Sequence, residues 1–517
     1  MGDAPLDRRQ FVVRAAGGIA ALTLAACGGS SSTTSTVTRT ARRAKAVPAK
    51  KPATLSELAD QVHGRVVTPK SAGYHRAAEV YNEIFDGARP VAIVEASREA
   101  DVQAAVKWAA DRDVSIVPRA GGHSYAGYST GNGVLVVDVS GIDSISVDRG
   151  AGVADIGAGS QLIDVYTKLA HHGATTPAGS CPSVGIGGHA QVGGTGLAAR
   201  KLGLACDNIE GLRIVTADGR LVEANKHSNP DLYWASRGGG AGNFGVVTSF
   251  RQRIHRVSSA AWFNVSWPWS SAAGALGAWQ RFAPHAPPEL MSIFHLSTGS
   301  SSPSVSANGQ FFGSADKLKR LIAPLSQVSG ASVTTGTQAY LPLMLRWAGC
   351  SELAKCHTVG TSPGGTMPRA KFLAKSSYVT KAMPAAGRRA AVAAIERRQR
   401  QSSQGSAALL FDSYGGVVNK VAPSATAFVH RDALCCIQYL AYFTADSAEG
   451  RTRRWIESTW RSLQPYVSKQ AYQGYIDPDL ANWETAYYGA NYPRLQSVKK
   501  RYDPDFRFRN RQAIRPA

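Results

Sequence analysis

Arg119-Ala120-Gly121-Gly122-His123-Ser124-Tyr125 and Ser180-Cys181-Pro182-Ser183-Val184-Gly185-Ile186-Gly187-Gly188-His189 are the two stretches on which the fold turns. Each sets one nucleophilic side chain, His123 or Cys181, in a glycine-rich run. Paired glycines let the backbone approach a bound group without side-chain collision, and consecutive amides can form an anion-binding concavity. Read alone, Gly121-Gly122-His123 is also satisfied by a turn followed by a structural His, and Cys181 by a small packed thiol. The glycines from 185 to 196 follow a cysteinyl loop rather than a strand opening a βαβ unit, so they do not form a nicotinamide fingerprint.

Outward from these loops, residues 90–94 read as a strand, 99–112 as an amphipathic helix, and 114–118 as a second strand entering the His123 loop. Strands at 134–138 and 152–157 come next, and a helix at 162–171 leads toward Cys181. Further strands fall at 212–216 and 245–254. Beyond Trp262 the pattern changes to strands at 262–267, 292–297, 305–312, 409–414 and 434–443, with helices at 314–325 and 385–400. The second of these helices is basic and reads as a solvated face. The alternation is α+β.

Three further runs are Trp234-Ala235-Ser236-Arg237-Gly238-Gly239-Gly240-Ala241-Gly242-Asn243-Phe244-Gly245, Asn491-Tyr492-Pro493-Arg494-Leu495 and Tyr502-Asp503-Pro504-Asp505-Phe506-Arg507-Phe508. With the two loops, they resemble the berberine bridge enzyme-like flavoproteins of the vanillyl-alcohol oxidase superfamily; separated matches in the right order are far more specific than one glycine-rich loop. The resemblance implies a two-part FAD-binding domain at 54–258 and a substrate-binding domain at 259–465 with an antiparallel sheet flanked by helices. It also implies a segment at 466–517 that returns to the FAD domain. FAD would be bonded to both His123 and Cys181. Its cradle would be Arg119, Ala120, Gly121, Gly122, His123 and Ser124 with Ser180, Cys181, Val184, Gly185, Gly187, Gly188 and His189, joined by Gly242, Val246, Asn491 and Tyr492.

Oxidation of an alcohol by such a flavin needs a base for the hydroxyl proton. Tyr472-Gln473-Gly474-Tyr475-Ile476-Asp477 resembles the family segment that supplies an active-site Tyr, with Gly474 where Asn is usual. Tyr475 is the first candidate and Tyr472 the second. An unperturbed phenol ionises near ~10, so the base must have that value lowered or share its proton in a network. Gln438 and Tyr125 match family positions facing the substrate; Cys436 stands where one plant subgroup has Lys, and Thr195 where plant members often have Tyr. Asp412 reads as orienting the base, binding a hydroxyl, or closing a strand. Val184 matches a position where Val is associated with an open oxygen pocket and Leu with dehydrogenase behaviour. The expected substrate is a sugar hydroxyl or a secondary-metabolite alcohol, and the expected acceptor is oxygen. Two competing readings remain: a dehydrogenase passing electrons to a membrane quinone or carrier, and a non-catalytic envelope-binding protein that retains the flavin.

The chain has 517 residues and ordinary apolar content, enough for two globular parts. Its formal net charge is +22, but Lys and Arg are spread widely and no nucleic-acid motif accompanies them; an anionic cell envelope is the simpler partner. Arg8-Arg9-Gln10-Phe11 precedes an apolar run at 15–26, and Leu24-Ala25-Ala26-Cys27 has lipobox form, so 1–26 reads as a twin-arginine lipoprotein signal. This predicts a protein anchored through lipidated Cys27 at the extracytoplasmic face of the membrane. Residues 27–53 are Ser/Thr-rich and then basic, with no acidic residue, and read as a flexible tether that adds attraction to anionic lipid. Cys350 and Cys356 are close enough for a disulfide, which export permits. With His357 they supply too few ligands for a structural metal site, and no metal is expected. Cys206, Cys435 and Cys436 read as packed apolar residues.

Overall fold

Three large sheets and a two-stranded pairing of Ala174–Thr175 with His255–Arg256 organise the computed structural model, which describes residues 54–359, 365–401 and 405–517. Arg8, Arg9, Cys27 and the basic tether lie outside the described residues.

The first sheet has the strand order Arg65–Val67, Ala92–Glu95, Leu135–Asp138, Ile116–Arg119. The last three strands are parallel. Their buried runs Ala92-Ile93-Val94 and Leu135-Val136-Val137 suit a parallel sheet covered on both faces. Helix Glu99–Ala110 connects Ala92–Glu95 to Ile116–Arg119 and buries Val102, Ala105, Val106 and Ala109. Arg119 and Asp138 end neighbouring parallel strands and form a buried ion pair at 2.6 Å. The His123 loop therefore leaves from the carboxyl edge, where parallel sheets place their ligands.

The second sheet is antiparallel, in the order Ile145–Asp148, Val153–Gly157, Val246–Arg253, Ile209–Val215, Leu221–Asn225. Helix Leu162–His171 is tied to the Cys181 loop: the amides of Leu162 and Ile163 donate to the carbonyls of Val184 and Pro182 at 2.9 and 3.1 Å.

The third sheet is a seven-stranded antiparallel one, in the order Ser332–Ala339, Ser259–Trp267, Ser304–Phe311, Leu290–Ser297, Ala407–Ser413, Cys435–Phe443, Lys371–Val379. Helices Ala272–Phe282, Ala385–Gln399 and Glu449–Leu463 cover one face over Trp279, Phe294, Phe411, Ile437 and Tyr439. Alternate residues of the same strands, among them Met291, Ile293, Leu410 and Leu440, turn to the other face.

Two departures from the sequence reading have local causes. The helix expected at 314–325 is two pieces, Ala315–Leu321 and Ala323–Ser326, because Pro324 lacks an amide and sits comfortably only in a first turn. Strand Lys371–Val379 carries no alternation to mark it, since Lys375 through Val379 are all buried. The C-terminal helix Tyr492–Tyr502 and the residues after it pack back on the first two sheets: the Ile116 amide donates to Arg507 O at 3.0 Å, and Ile514 N to Asn243 Oδ1 at 3.0 Å. Among the described residues, no helix is long and apolar enough to cross a membrane.

Candidate active site

A cavity of about 620 Å³ lies between the two glycine-rich loops and the free face of the seven-stranded sheet, and both His123 and Cys181 line it. The loops meet backbone to backbone. A Cβ on Gly121 would stand 2.3 Å from Gly185 N, and one on Gly185 would stand 2.4 Å from Gly121 N. Gly122 has φ +68°, the left-handed region that favours glycine. Gly187 is held to the second sheet, where a Cβ would come 2.6 Å from Ala158 O.

His123 Nε2 lies 2.9 Å from Ser183 Oγ, and the Tyr81 ring stacks on the imidazole at 4.0 Å. Burial pulls the His123 pKa down to about 3, so the ring is neutral and nucleophilic at neutral pH. Cys181 is half-buried and outside any disulfide. Ser180, Val184, Gly188, Gly242 and Val246 also line the cavity. Arg119 is committed to Asp138, while Ser124 Oγ accepts from Tyr128 N at 3.0 Å and His189 Nε2 from Gly179 N at 2.9 Å. Asn491 and Tyr492 stand one layer back. Asn491 Nδ2 donates to the carbonyls of Pro423, Thr426 and Ala427, and Tyr492 stacks on Tyr488, whose ring reaches the cavity. Two nucleophiles beside a cradle of close-packed glycine backbone fit a flat ring system such as that of FAD.

At the sheet wall, Tyr475 Oη donates to Asp412 Oδ2 at 3.1 Å, and Gln438 Nε2 donates to Tyr125 Oη at 2.6 Å. The rings of Tyr125 and Tyr475 stack at 5.7 Å with 6° between their planes, which joins the two pairs into one cluster. Tyr472 is different: its hydroxyl accepts from Gly194 N at 3.0 Å, its ring is buried, and that burial pushes its phenol pKa up. The geometry thus separates the two tyrosines. It also accounts for Gly474, where a Cβ would come 2.4 Å from the Tyr472 ring.

The strand Lys371–Val379 grips this segment at both ends. Tyr472 N donates to Ser376 Oγ at 2.9 Å, and Lys375 Nζ pairs with buried Asp477 at 2.7 Å. Sequence gives no sign of Lys375, Ser376 or Tyr81, because only the tertiary fold brings them here; Ser183 lies inside the Cys181 stretch with no signal of its own. Cys350 and Cys356 form a disulfide, and His357 Nε2 faces Asp164 at 3.0 Å. Among the described residues no group of three or more His, Cys, Asp or Glu could hold a metal ion.

A family model described as FAD binding domain matches residues 90–225, and one described as Berberine and berberine like matches 471–515. An uncharacterized FAD-linked oxidoreductase of Bacillus subtilis, YgaK, is 34% identical over 460 residues, 88% of this chain and 97% of its own. The chitooligosaccharide oxidase of Gibberella zeae is 32% identical over 83% of this chain and 87% of its own. The solved structure of Physcomitrella patens BBE-like 1 superimposes with a TM-score of 0.83 at 33% identity, covering 89% of this chain and 99% of that one.

Proposed function

Since this chain belongs to the berberine bridge enzyme-like FAD-linked oxidoreductases, we propose that it oxidises an alcohol, a sugar hydroxyl or that of a secondary metabolite, with FAD bonded to both His123 and Cys181. Held between His123 and Cys181, FAD would supply a two-electron acceptor for the hydrogen on the alcohol carbon, with molecular oxygen as the proposed final acceptor. The observation that carries the reading is Tyr475 hydrogen-bonded to Asp412 in the cavity that His123 and Cys181 share. Tyr475 Oη takes the substrate hydroxyl proton while its own proton passes to Asp412 Oδ2, so no free phenolate is needed. Tyr125 and Gln438 orient the hydroxyl. With Nε2 of His123 engaged by Ser183, Nδ1 is the nitrogen left to form the bond.

The proposed setting is the extracytoplasmic face of the membrane, reached through the twin-arginine signal and held by lipid on Cys27. The test is mass spectrometry of acid-denatured protein together with anaerobic mixing with alcohols. The expected result is one FAD retained in the wild type and in each of His123→Ala and Cys181→Ala, none in the double variant, and bleaching of the flavin by an alcohol. Wild-type polypeptide that releases all its FAD on denaturation would defeat the double attachment.

A further inference from the structure

The helices that cover the outer face of the seven-stranded sheet turn charge of mostly one sign toward solvent. Ala272–Phe282, Ala385–Gln399 and Glu449–Leu463 together hold nine arginines, no lysine and three acidic residues, all glutamates. Ala385–Gln399 lies between the other two. Along it and just past its end, Arg389, Arg397 and Arg400 recur at helical spacing on the solvent side, and along Glu449–Leu463 so do Arg451, Arg454 and Arg461. The glutamates are already engaged: Glu396 accepts from Trp269 Nε1 at 2.9 Å, Glu449 pairs with Arg453 at 2.9 Å, and Glu457 with Arg461 at 3.0 Å. Among the described residues no ion pair reaches Arg281, Arg389, Arg397, Arg400 or Arg454. Burial, followed by the charges of Arg281 and Arg389, holds the Arg388 guanidinium below its ordinary pKa, so like charges crowd this part of the layer. The short helix Ala315–Leu321, packed on the same face, adds Lys317, Lys319 and Arg320 against Asp316.

Guanidiniums gathered on one side raise the potential there, and each can hold a phosphate through two parallel hydrogen bonds. The exposed large hydrophobics among the described residues are Val333, Leu353 and Val359, none of them aromatic and none in these helices. The layer thus offers no ring on which bases could stack and no apolar wedge for a bilayer interior. What remains is adsorption by charge to a broad anionic surface. The chain ahead of Thr54 adds charge of the same sign in Arg39, Arg42, Arg43, Lys45, Lys50 and Lys51. We propose that this arginine-striped helix layer docks on the phosphate surface of an anionic phospholipid bilayer. The cavity lies on the other face of the sheet, so docking leaves it uncovered. The contact needs neither an acyl group on Cys27 nor the chemistry at FAD.

The experiment measures partition of the flavin-loaded full chain carrying Cys27→Ala onto two kinds of vesicle, phosphatidylcholine alone and an equal mixture with phosphatidylglycerol. The ratio between the two removes what the apolar run at 15–26 contributes to both. The unaltered surface should prefer the anionic vesicles, and the preference should vanish near ~1 M salt, where charges are screened within about 3 Å. The triple variant Arg389→Gln/Arg400→Gln/Arg454→Gln should lower the preference by about fivefold per arginine, on the order of 100-fold in all. All three side chains are exposed, so its melting temperature and flavin content should be unchanged. Lys70→Gln/Arg76→Gln/Arg149→Gln removes the same charge from exposed positions in the FAD domain and should lower the preference by less than about threefold. Equal losses in the two triple variants would show attraction by net charge alone and overturn the docking face, as would an unaltered surface with no preference for phosphatidylglycerol. Tighter binding of a DNA duplex than of anionic vesicles, lost in the helix-layer variant, would overturn the lipid assignment and give the face to nucleic acid.

Discussion

A phenol with an ordinary pKa near ~10 serves as a base at neutral pH only if its own proton has somewhere to go. At Tyr475 that place is Asp412 Oδ2, 3.1 Å away, whereas the Tyr472 hydroxyl is spent on Gly194 N at 3.0 Å. Tyr475→Phe should therefore slow anaerobic flavin reduction by about 10²- to 10⁴-fold with the flavin still attached. Tyr472→Phe should leave that rate within a few-fold and instead lower the melting temperature, since removing one partner of a buried hydrogen bond costs about 1–3 kcal/mol. Stopped-flow and thermal melts of the two variants decide it; the opposite ranking would transfer the base to Tyr472. Val184 is the residue proposed to govern the other half-reaction. It lines the cavity three residues beyond Cys181, and its carbonyl accepts from Leu162 N, so the loop cannot easily move aside for a larger side chain. One added methylene there would fill space that a molecule as small as dioxygen needs. Val184→Leu should slow reoxidation in air while leaving anaerobic reduction nearly unchanged, and equal oxygen rates in the two proteins would show that Val184 is ordinary packing.

At the level of elements, the two loops are held as one cradle by contact between Gly121 and Gly185, with no room for a Cβ on either. Backbone cannot yield as a side chain can. Gly185→Ala should therefore give folded protein largely without flavin, judged by the loss of visible absorbance against an unchanged far-ultraviolet spectrum; full flavin content in this variant would mean that the cradle tolerates separation. These loops were legible in sequence because glycine pairs and nucleophiles leave a local signature, and helix Leu162–His171 was legible because one face is apolar at helical spacing. Strand Lys371–Val379 was not. It is buried without alternation in its second half, and its Lys375 and Ser376 matter only through Asp477 and Tyr472, about a hundred residues later in the chain. Choosing between Tyr472 and Tyr475 was beyond the sequence for the same reason: their difference lies in Gly194 and Asp412, which the fold delivers from distant strands and loops.

The whole molecule closes its cofactor domain with its own last residues. Ile116 bonds to Arg507, and Asn243 to Ile514, so the cavity is complete only after almost the entire chain has been made and folded. If FAD is bonded to the polypeptide as proposed, it would have to be loaded into folded protein, and FAD is a cytoplasmic product. A route that threads an unfolded chain through the membrane would deliver protein without cofactor; a route that carries folded proteins, which Arg8-Arg9 would specify, would not. Replacing Arg8 and Arg9 with Lys should hold the protein in the cytosol with its flavin already attached, visible as flavin fluorescence of the denatured band after fractionation. Cys27→Ala should also retain the flavin but fail to be anchored by lipid at the outer face of the membrane. Cytosolic Lys-Lys variant without covalent flavin would place loading after export and sever the link between the signal and the cofactor. Unaltered export of that variant would show that the arginine pair is not the address.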